Sequence, residues 1–379
     1  MKKKMTKLAH QTCWAMIALC LVVYAGFSFA QTMDADWQQV LTRARGQTVD
    51  WFMWGGWPHT NAYVNQYVAP QVKAHYGIVL RQVPVTDIAT VVGKLLVEKQ
   101  AGKTTGGKAD LMWINGENFR TAKRHKLLYG PFADRLPNQQ LVDWQRPSVY
   151  NDFGEPVEGM ESPWGSAQVV MIYDKKRTPN PPQSMAELLT WIKEHPGRFT
   201  YPAPPDFTGS VFVRHVFYHV SGDVDTWQSN YDEKAVDTAA ENCYRMLREL
   251  KPYLWRKGKT YPESPIRLDQ MFADGEIDFS LSYHPAEASK KIFDGQFADT
   301  VRTFVFKEGT IANTHFLAIP FNASDKEGAM VVANFLLSPE AQLKKADPQT
   351  WGDFPAIDVK RLDTQWRRKF KSLPRGPAT

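Results

Sequence analysis

Cysteine is scarce in this chain of 379 residues, and only three are present. Cys13 and Cys20 belong to a segment typical of an export signal: a lysine-rich start, an apolar run at residues 14–27 and a small-residue cleavage pattern. We expect residues 1–30 to be removed as a signal peptide, which leaves Cys243 and excludes an internal disulfide. The competing interpretations are an uncleaved anchor, for which the run is short, and lipidation of Cys20, which its bulky neighbour disfavours.

A second long apolar run is also missing, because no later segment approaches the roughly 20 apolar residues that a membrane-spanning helix needs. Positive charge is scarcer than the net charge of +6 suggests. The predicted signal carries four lysines and no acidic residue, so its removal lowers the charge to +2. We therefore predict a periplasmic protein, most simply a monomer, with neither nucleic acid nor a membrane surface as its partner.

Catalytic signatures are absent as well: there is no Gly-x-Ser-x-Gly, no His-Glu-x-x-His and no dinucleotide-binding fingerprint. Residues 102–108 have the Gly-x4-Gly-Lys spacing of a phosphate-binding loop, but Ala109 stands where Ser or Thr is required. His215 and His219 have metal-ligand spacing on a predicted helix, yet no carboxylate or cysteine accompanies them. We interpret the pair as structural and expect neither a cofactor nor a metal.

What the sequence does contain is an alternation of strand-like and helix-like segments. Buried strands are predicted at 49–54, 78–83 and 109–114, with helices between them, and this order indicates a mainly parallel sheet. After a Gly- and Pro-punctuated stretch at 157–165, a second alternating array begins. The fold class is therefore α/β, with two lobes that each contain a mostly parallel sheet flanked by helices. We place lobe 1 at 31–162 with 313–345 returning to it, and lobe 2 at 163–312 with 346–379 packing on it.

Aromatic, amide and carboxylate residues concentrate in the loops where strands end, and lysine and arginine are nearly absent there. Ligands bind at these carboxyl ends because loops and helix N-termini converge on them. Aromatic faces and carboxylates suit a cationic or heterocyclic organic solute, whereas backbone donors at the start of a predicted helix could bind an oxyanion instead. The candidate ligand-binding residues are Trp54, Gly55, Trp113, Asn115, Glu117, Asn118, Glu161, Trp164, Asp206, Thr208, Gly209 and Tyr283.

Within this set, we predict separate roles for the aromatic and acidic side chains. Trp54, Trp113 and Trp164 would supply flat faces to the solute. Glu117 and Glu161 would orient or neutralise it. Glu161 stands out because its neighbours indicate a half-buried segment, where an unpaired carboxylate is costly.

Two other functional classes stay open at this point. A periplasmic hydrolase or transferase could use Glu158 and Glu161 as an acid and base pair, because close carboxylates can separate their pKa values. Their spacing of three residues around a glycine fits an ordinary loop equally well. The protein could also present its closed form to a membrane receptor, as a sensor rather than a transport component.

Three motifs resemble the periplasmic solute-binding proteins of ABC importers, in the group that includes polyamine, thiamine and ferric binders and, more closely, the YnjB-like proteins. They are WGG at 54–56, DLMWINGENF at 110–119 and GMESPWG at 159–165. The resemblance implies a type II binding-protein fold with a hinge of crossing strands. It also implies lobe closure on a solute and its delivery to a membrane permease powered by a cytoplasmic ATPase. Polyamine binders carry a Tyr before the Trp-Gly of the third motif, where this chain has Ser162 and Pro163, so their ligand contacts are not carried over.

Overall fold

The computed structural model describes residues 35–222, 227 and 232–379. The predicted signal peptide therefore lies outside the described residues. Within these ranges, no helix is both long enough and apolar enough to cross a membrane.

The strands are short and fall into two main sheets and one small hairpin. They are β1 (Thr48–Trp54), β2 (Val79–Val85), β3 (Leu111–Ile114), β4 (Leu128–Tyr129), β5 (Asn151–Asp152), β6 (Glu155–Pro156), β7 (Glu161–Gln168), β8 (Val170–Asp174), β9 (Phe279–Ser282), β10 (Val301–Phe304) and β11 (Ala312–Pro320).

Helices separate most of these strands and cover the sheets. The α-helices are 35–44, Pro58–Ala62, Ala69–Tyr76, Ala89–Gln100, Glu117–Arg124, Pro147–Tyr150, Met185–Glu194, Phe207–Ser221, Glu233–Leu250, Pro265–Ala273, Glu287–Phe293, Lys326–Leu336, Pro339–Ala346 and Thr364–Lys371. A π-helix, Tyr63–Val68, joins the second and third of them. Single 3-10 turns lie at Ala133–Arg135, Pro137–Leu141, Lys251–Tyr253, Trp255–Gly258 and Val359–Arg361.

The sheet of the first lobe is mixed, in the order β2, β1, β3, β11, β4, with β7 also paired to β11. Strand β1 runs parallel to β2 and β3, as the predicted βα units require. Its side chains alternate between buried and half-buried, since one face meets the core. Strand β11 is antiparallel to its neighbours because it returns from the second lobe.

The sheet of the second lobe differs from the expected parallel arrangement. Strand β8 lies between β10 and β9 and is antiparallel to both. The alternation of strands and helices in the sequence identified the elements of this lobe. It does not determine the end of the sheet at which the chain enters each strand, and therefore does not determine whether neighbouring strands are parallel. The α/β two-lobed fold is confirmed, with a mixed sheet in one lobe and an antiparallel sheet in the other.

Two strands cross between the lobes and pair with each other along their length. Strand β7 leaves the first lobe and becomes β8 after one residue, Val169, while β11 runs back antiparallel to β7. The two strands are in register from Ala312 opposite Gln168 to Ala318 opposite Glu161, with an irregularity at His315. These are the crossing strands that the sequence motifs implied.

A buried ion pair packs directly against this crossing. The Lys345 ammonium donates to the Asp353 carboxylate at 2.8 Å and to the carbonyl oxygen of Trp164 on β7. His315 on β11 reaches the other carboxylate oxygen at 3.4 Å. Gly165 leaves room for these groups, because a Cβ there would overlap both Lys345 and Asp353.

The C-terminal segment divides its contacts between the lobes. Trp351 and Leu362 lie in the core of the first lobe, whereas Ala378 lies in the core of the second and accepts a hydrogen bond from Thr303 on β10. The packing predicted for 346–379 on the second lobe is thus found at the end of the chain and not at Trp351. The short connection from the helix Pro339–Ala346 keeps Trp351 beside the first lobe.

Removing one member of the ion pair should destabilise the protein strongly. In a Lys345→Met variant the Asp353 carboxylate stays buried without its counter-ion, which typically costs about 3–5 kcal/mol. The double variant Lys345→Met/Asp353→Asn should recover part of that loss. Urea unfolding measures both, with the exposed neighbour Lys344→Met as a control expected within about 0.5 kcal/mol of wild type. Equal effects of Lys345→Met and Lys344→Met would contradict the role assigned to the pair.

Candidate functional site

The loops that follow β1 and β9 meet where the two lobes face each other. Trp57 and His59 come shortly after β1, and His284 comes shortly after β9. The His284 ring lies 5.4 Å from the Trp57 ring and 5.0 Å from the His59 ring, measured between centroids. The sequence directed attention to the loop after Trp54 but missed both histidines, although each stands just past a strand end, where ligand groups are expected.

The predicted loop after β3 is tied to the crossing strands by hydrogen bonds. Trp113 donates its indole N–H to Asn115, whose amide donates to the Thr314 carbonyl on β11 at 2.7 Å. Gly116 donates its N–H to the Asp152 carboxylate at 2.5 Å, from a backbone φ of 58° that favours glycine. These hydrogen bonds hold the loop after β3 against β11 and Asp152.

Glu161, at the start of β7, is fully buried, and neither of its carboxyl oxygens has a hydrogen-bond partner among the residues that the structure describes. Burial raises its pKa well above the usual value, the charge of Asp152 raises it further, and Lys123 opposes the shift. Burial also raises the pKa of Asp152 to about 7, against the hydrogen bonds from Asn115 and Gly116. Two buried carboxyl groups with spare acceptor capacity suit a cationic group that pairs with them.

Trp164 lies in the core instead of presenting a face to the cleft. It is fully buried, and its ring lies 5.0 Å from those of Trp51 and Trp113 and 5.1 Å from that of Trp351. Residues 161–165 of β7 are all buried, so the strand lacks the alternation that marks a solvent-facing side. The predicted role of Trp164 as a solute face does not agree with this position, while Trp113 is only half-buried.

The remaining candidates of the first lobe lie near the surface of the same region. Trp54 is half-buried and packs edge-on against Trp57, with ring centroids 4.8 Å apart. The Gly55 carbonyl already accepts a hydrogen bond from an amide side chain at 2.9 Å. Glu117 is exposed at the start of its helix, and Asn118 is half-buried beside it. The structure does not bring Glu117 and the buried Glu161 into a common environment.

In the second lobe, the predicted oxyanion donors are used by the protein itself. The Asp206 carboxylate caps the helix Phe207–Ser221 and accepts the Gly209 N–H at 2.9 Å. Thr208 is buried beside it. Tyr283 is also buried, packs against the Phe207 ring and has no partner for its hydroxyl group. An anion would have to displace the Asp206 cap to use this helix start.

The sequence suggested Glu158 and Glu161 as a catalytic pair and His215 as a possible metal ligand. In the structure the two carboxylates differ in exposure, and the nitrogens of His215 already have hydrogen-bond partners. Glu158 is exposed and pairs with Lys123 at 3.1 Å, whereas Glu161 is fully buried, so the two carboxylates do not face a common substrate. The two ring nitrogens of His215 contact the Val211 carbonyl at 2.9 Å and the Ile311 N–H at 3.1 Å. That pairing agrees with a structural role for this histidine.

The fold and the paired crossing strands define a class: a two-lobed solute-binding protein of the ABC importer type. Residues 66–371 match the family described as bacterial extracellular solute-binding protein. This match spans most of the chain, and the protein belongs to that family. The family is one of extracellular solute-binding proteins, and one of the relatives is named as a periplasmic binding protein.

Individual relatives agree with this assignment. The chain is 43% identical over 346 residues to Protein YnjB of Escherichia coli (strain K12), covering 91% of this chain and 88% of that protein. It is 28% identical over 148 residues, 38% of each chain, to the Spermidine/putrescine-binding periplasmic protein of the same organism. A solved structure named Periplasmic thiamin binding protein superposes with a TM-score of 0.57 at 18% identity, covering 86% of this chain and 87% of that one.

Glu161 should make the stability of the solute-free protein depend on pH. Because its folded-state pKa is raised, the native protein holds a proton that the unfolded chain releases above about pH 4.5. This group should therefore make the free energy of unfolding fall as pH rises above about 4.5. Glu161→Gln removes this contribution, so it should be more stable than wild type at about pH 8, by about 1–3 kcal/mol, and close to wild type at about pH 4.5.

Urea unfolding at both pH values measures this difference. Glu241→Gln, at an exposed helix position, serves as the matched control and should follow the wild-type curve. The same pH dependence in wild type and Glu161→Gln would show that Glu161 is ionised in the folded state.

Proposed function

We propose that this protein captures a small polar organic solute, cationic or heterocyclic, between its lobes in the periplasm. The loaded protein then delivers the solute to an ABC permease and ATPase complex in the inner membrane. The observation that carries the choice of a cation is the buried carboxyl group of Glu161, which lies near Asp152 and has no hydrogen-bond partner in the described part of the chain.

Proton release accompanies capture in this proposal. Without solute, burial disfavours the charge of both carboxyl groups and raises their pKa values, that of Asp152 to about 7, so below that pH both groups tend to hold protons. A cationic group placed beside them favours the ionised forms, since opposite charges in a water-poor site attract strongly. The half-buried rings of Trp54 and Trp113 can add cation–π contact. Binding should therefore strengthen as pH rises through about 7, the value to which burial raises the pKa of Asp152.

Lobe closure follows from the position of the site. The loop after β9 lies against the first lobe in this structure, with the His284 ring 5.4 Å from the Trp57 ring, and solute between the lobes would stabilise this arrangement. The closed form gains contacts that the open form lacks, so solute shifts the population toward closure. No chemical conversion is part of this proposal, because Glu158 is exposed and pairs with Lys123, whereas Glu161 is fully buried.

A panel of solutes tests the charge preference. Protein stripped of ligand by unfolding and refolding would be titrated with putrescine, spermidine, thiamin and a sugar phosphate. We expect at least one cation to raise the unfolding temperature, with a stabilisation of a few kcal/mol at saturation, and to be recovered unaltered by mass spectrometry. Stabilisation by the sugar phosphate alone would contradict a cation site.

Calorimetry with the cation that binds then tests the residues. Glu161→Gln keeps the shape of the side chain but removes its charge, so affinity should fall about tenfold to a hundredfold, as for a hydrogen bond to a charged group. Glu241→Gln should bind as wild type does. Unchanged affinity in Glu161→Gln would remove Glu161 from the site, even if a cation is confirmed as the solute.

A further inference from the structure

Three side chains with metal-ligating atoms converge at the junction of the lobes. They are His59 from the first lobe and His284 and Glu287 from the second, and one ligand atom of each lies within 4.8 Å of the other two. All three residues are at least nine-tenths buried, with exposed fractions of 8%, 1% and 7%. His59 Nε2 and Glu287 Oε2 are 3.8 Å apart, and neither atom has a hydrogen-bond partner within residues 35–222, 227 and 232–379. Such buried, unpaired polar atoms are costly unless a ligand satisfies them.

The tautomer of His284 is set by the backbone. Its Nε2 lies 2.7 Å from the Trp351 carbonyl oxygen, to which it can only donate a hydrogen bond. The proton is therefore on Nε2, and Nδ1 keeps its lone pair. Metal-ligating histidines characteristically donate their second ring N–H to a carbonyl or carboxylate in this way.

Glu287 is held by a charged network on its other side. Its Oε1 lies 3.5 Å from the Lys291 ammonium, which also lies 3.4 Å from the Asp269 carboxylate. Ser280 donates to that carboxylate at 2.6 Å. The network orients Glu287 so that Oε2 faces His59, and Asp269 balances the charge of Lys291.

The donor set has a definite chemical preference. An imidazole with an ordinary pKa of about 6.5 is mostly neutral at pH 7, so the rings of both His59 and His284 can offer a nitrogen lone pair to an ion. Two imidazoles and one carboxylate suit Zn²⁺ and neighbouring divalent transition ions better than Ca²⁺ or Mg²⁺. Bond lengths of about 2.0–2.2 Å would require the three side chains to draw together by about 1 Å.

We propose that His59, His284 and Glu287 form a binding site for a divalent transition-metal ion of the Zn²⁺ type that bridges the two lobes. Three protein ligands leave one tetrahedral position open, for water or for a donor atom of the solute. Because the ligands come from both lobes, the ion binds the closed form more tightly than the open form. This inference rests on the proposed lobe closure but not on the solute being a cation.

Titration of the chelator-treated protein with Zn²⁺ tests the site. Calorimetry should show one ion bound per chain, and Co²⁺ should give the visible absorption of a four-coordinate site. His59→Gln and Glu287→Gln should each lower the affinity at least about tenfold. His75→Gln, at an exposed histidine of the first lobe, should leave it unchanged. Circular dichroism confirms that each variant is folded.

The two ligand variants separate the possible outcomes. Wild-type affinity in both His59→Gln and Glu287→Gln, or no Zn²⁺ binding at all, overturns the site. If Glu287→Gln loses Zn²⁺ affinity while His59→Gln keeps it, the ion is not bound by both lobes and the proposal of a bridging site fails. If an organic cation binds while Zn²⁺ does not, the inference fails and the proposed function stands. If Zn²⁺ binds as predicted while the sugar phosphate alone stabilises the protein, the cation proposal fails and the metal site stands.

Discussion

The antiparallel pairing of β7 with β11 is the interaction on which the rest of the structure depends. One strand carries the chain from the first lobe into β8, and the other brings it back into the first sheet. The lobes therefore share backbone hydrogen bonds at their crossing. Behind the crossing, Lys345 and Asp353 form an ion pair from which water is excluded, and Gly165 provides the space for it. A relative motion of the lobes must bend this pair of strands rather than separate them.

Around that crossing, the protein retains polar groups that do not help it to fold. Glu161, His59 and Glu287 are buried with polar atoms that have no hydrogen-bond partner among the described residues. Each such atom costs free energy in the solute-free protein. Locally unfavourable groups of this kind concentrate at functional sites, where a ligand supplies the missing partner. His59 and Glu287 come shortly after β1 and β9. Glu161 lies near Asp152, which accepts a hydrogen bond from the loop after β3.

Much of the fold followed from the sequence, because hydrophobic periodicity and strand-end glycines report local structure. The strands around Trp51 and Trp113 were predicted. The stretch at 157–165 was interpreted as a Gly- and Pro-punctuated break between two arrays, whereas its residues 161–165 form the first part of the crossing strand β7. The antiparallel sheet of the second lobe was not predicted, since its connections are long and pass through several helices. Trp351 was assigned to the wrong lobe because its packing depends on the return of the helix Pro339–Ala346.

The site was harder to predict for physical reasons. The sequence around a tryptophan in a loop-like motif does not show whether its ring faces a cleft or a core. Trp164 lies in the core because both faces of β7 are buried at this position. Glu161 could be selected because a charged residue among apolar neighbours is unusual. His59 and His284 are 225 positions apart in the chain, and no spacing rule connects them. Only the meeting of the two lobes brings their rings together.

The most direct test is a distance measured between the lobes. Spin labels on Val97→Cys in the first lobe and Ile266→Cys in the second, both at exposed helix positions, would be introduced into a Cys243→Ala background. Pulsed electron resonance would compare stripped protein with protein saturated with its solute. If the lobes close on solute, the distance between the labels should change on saturation, and its distribution should narrow from a broad one to a single narrow one. Identical distributions in the two states would contradict closure of hinged lobes on a solute.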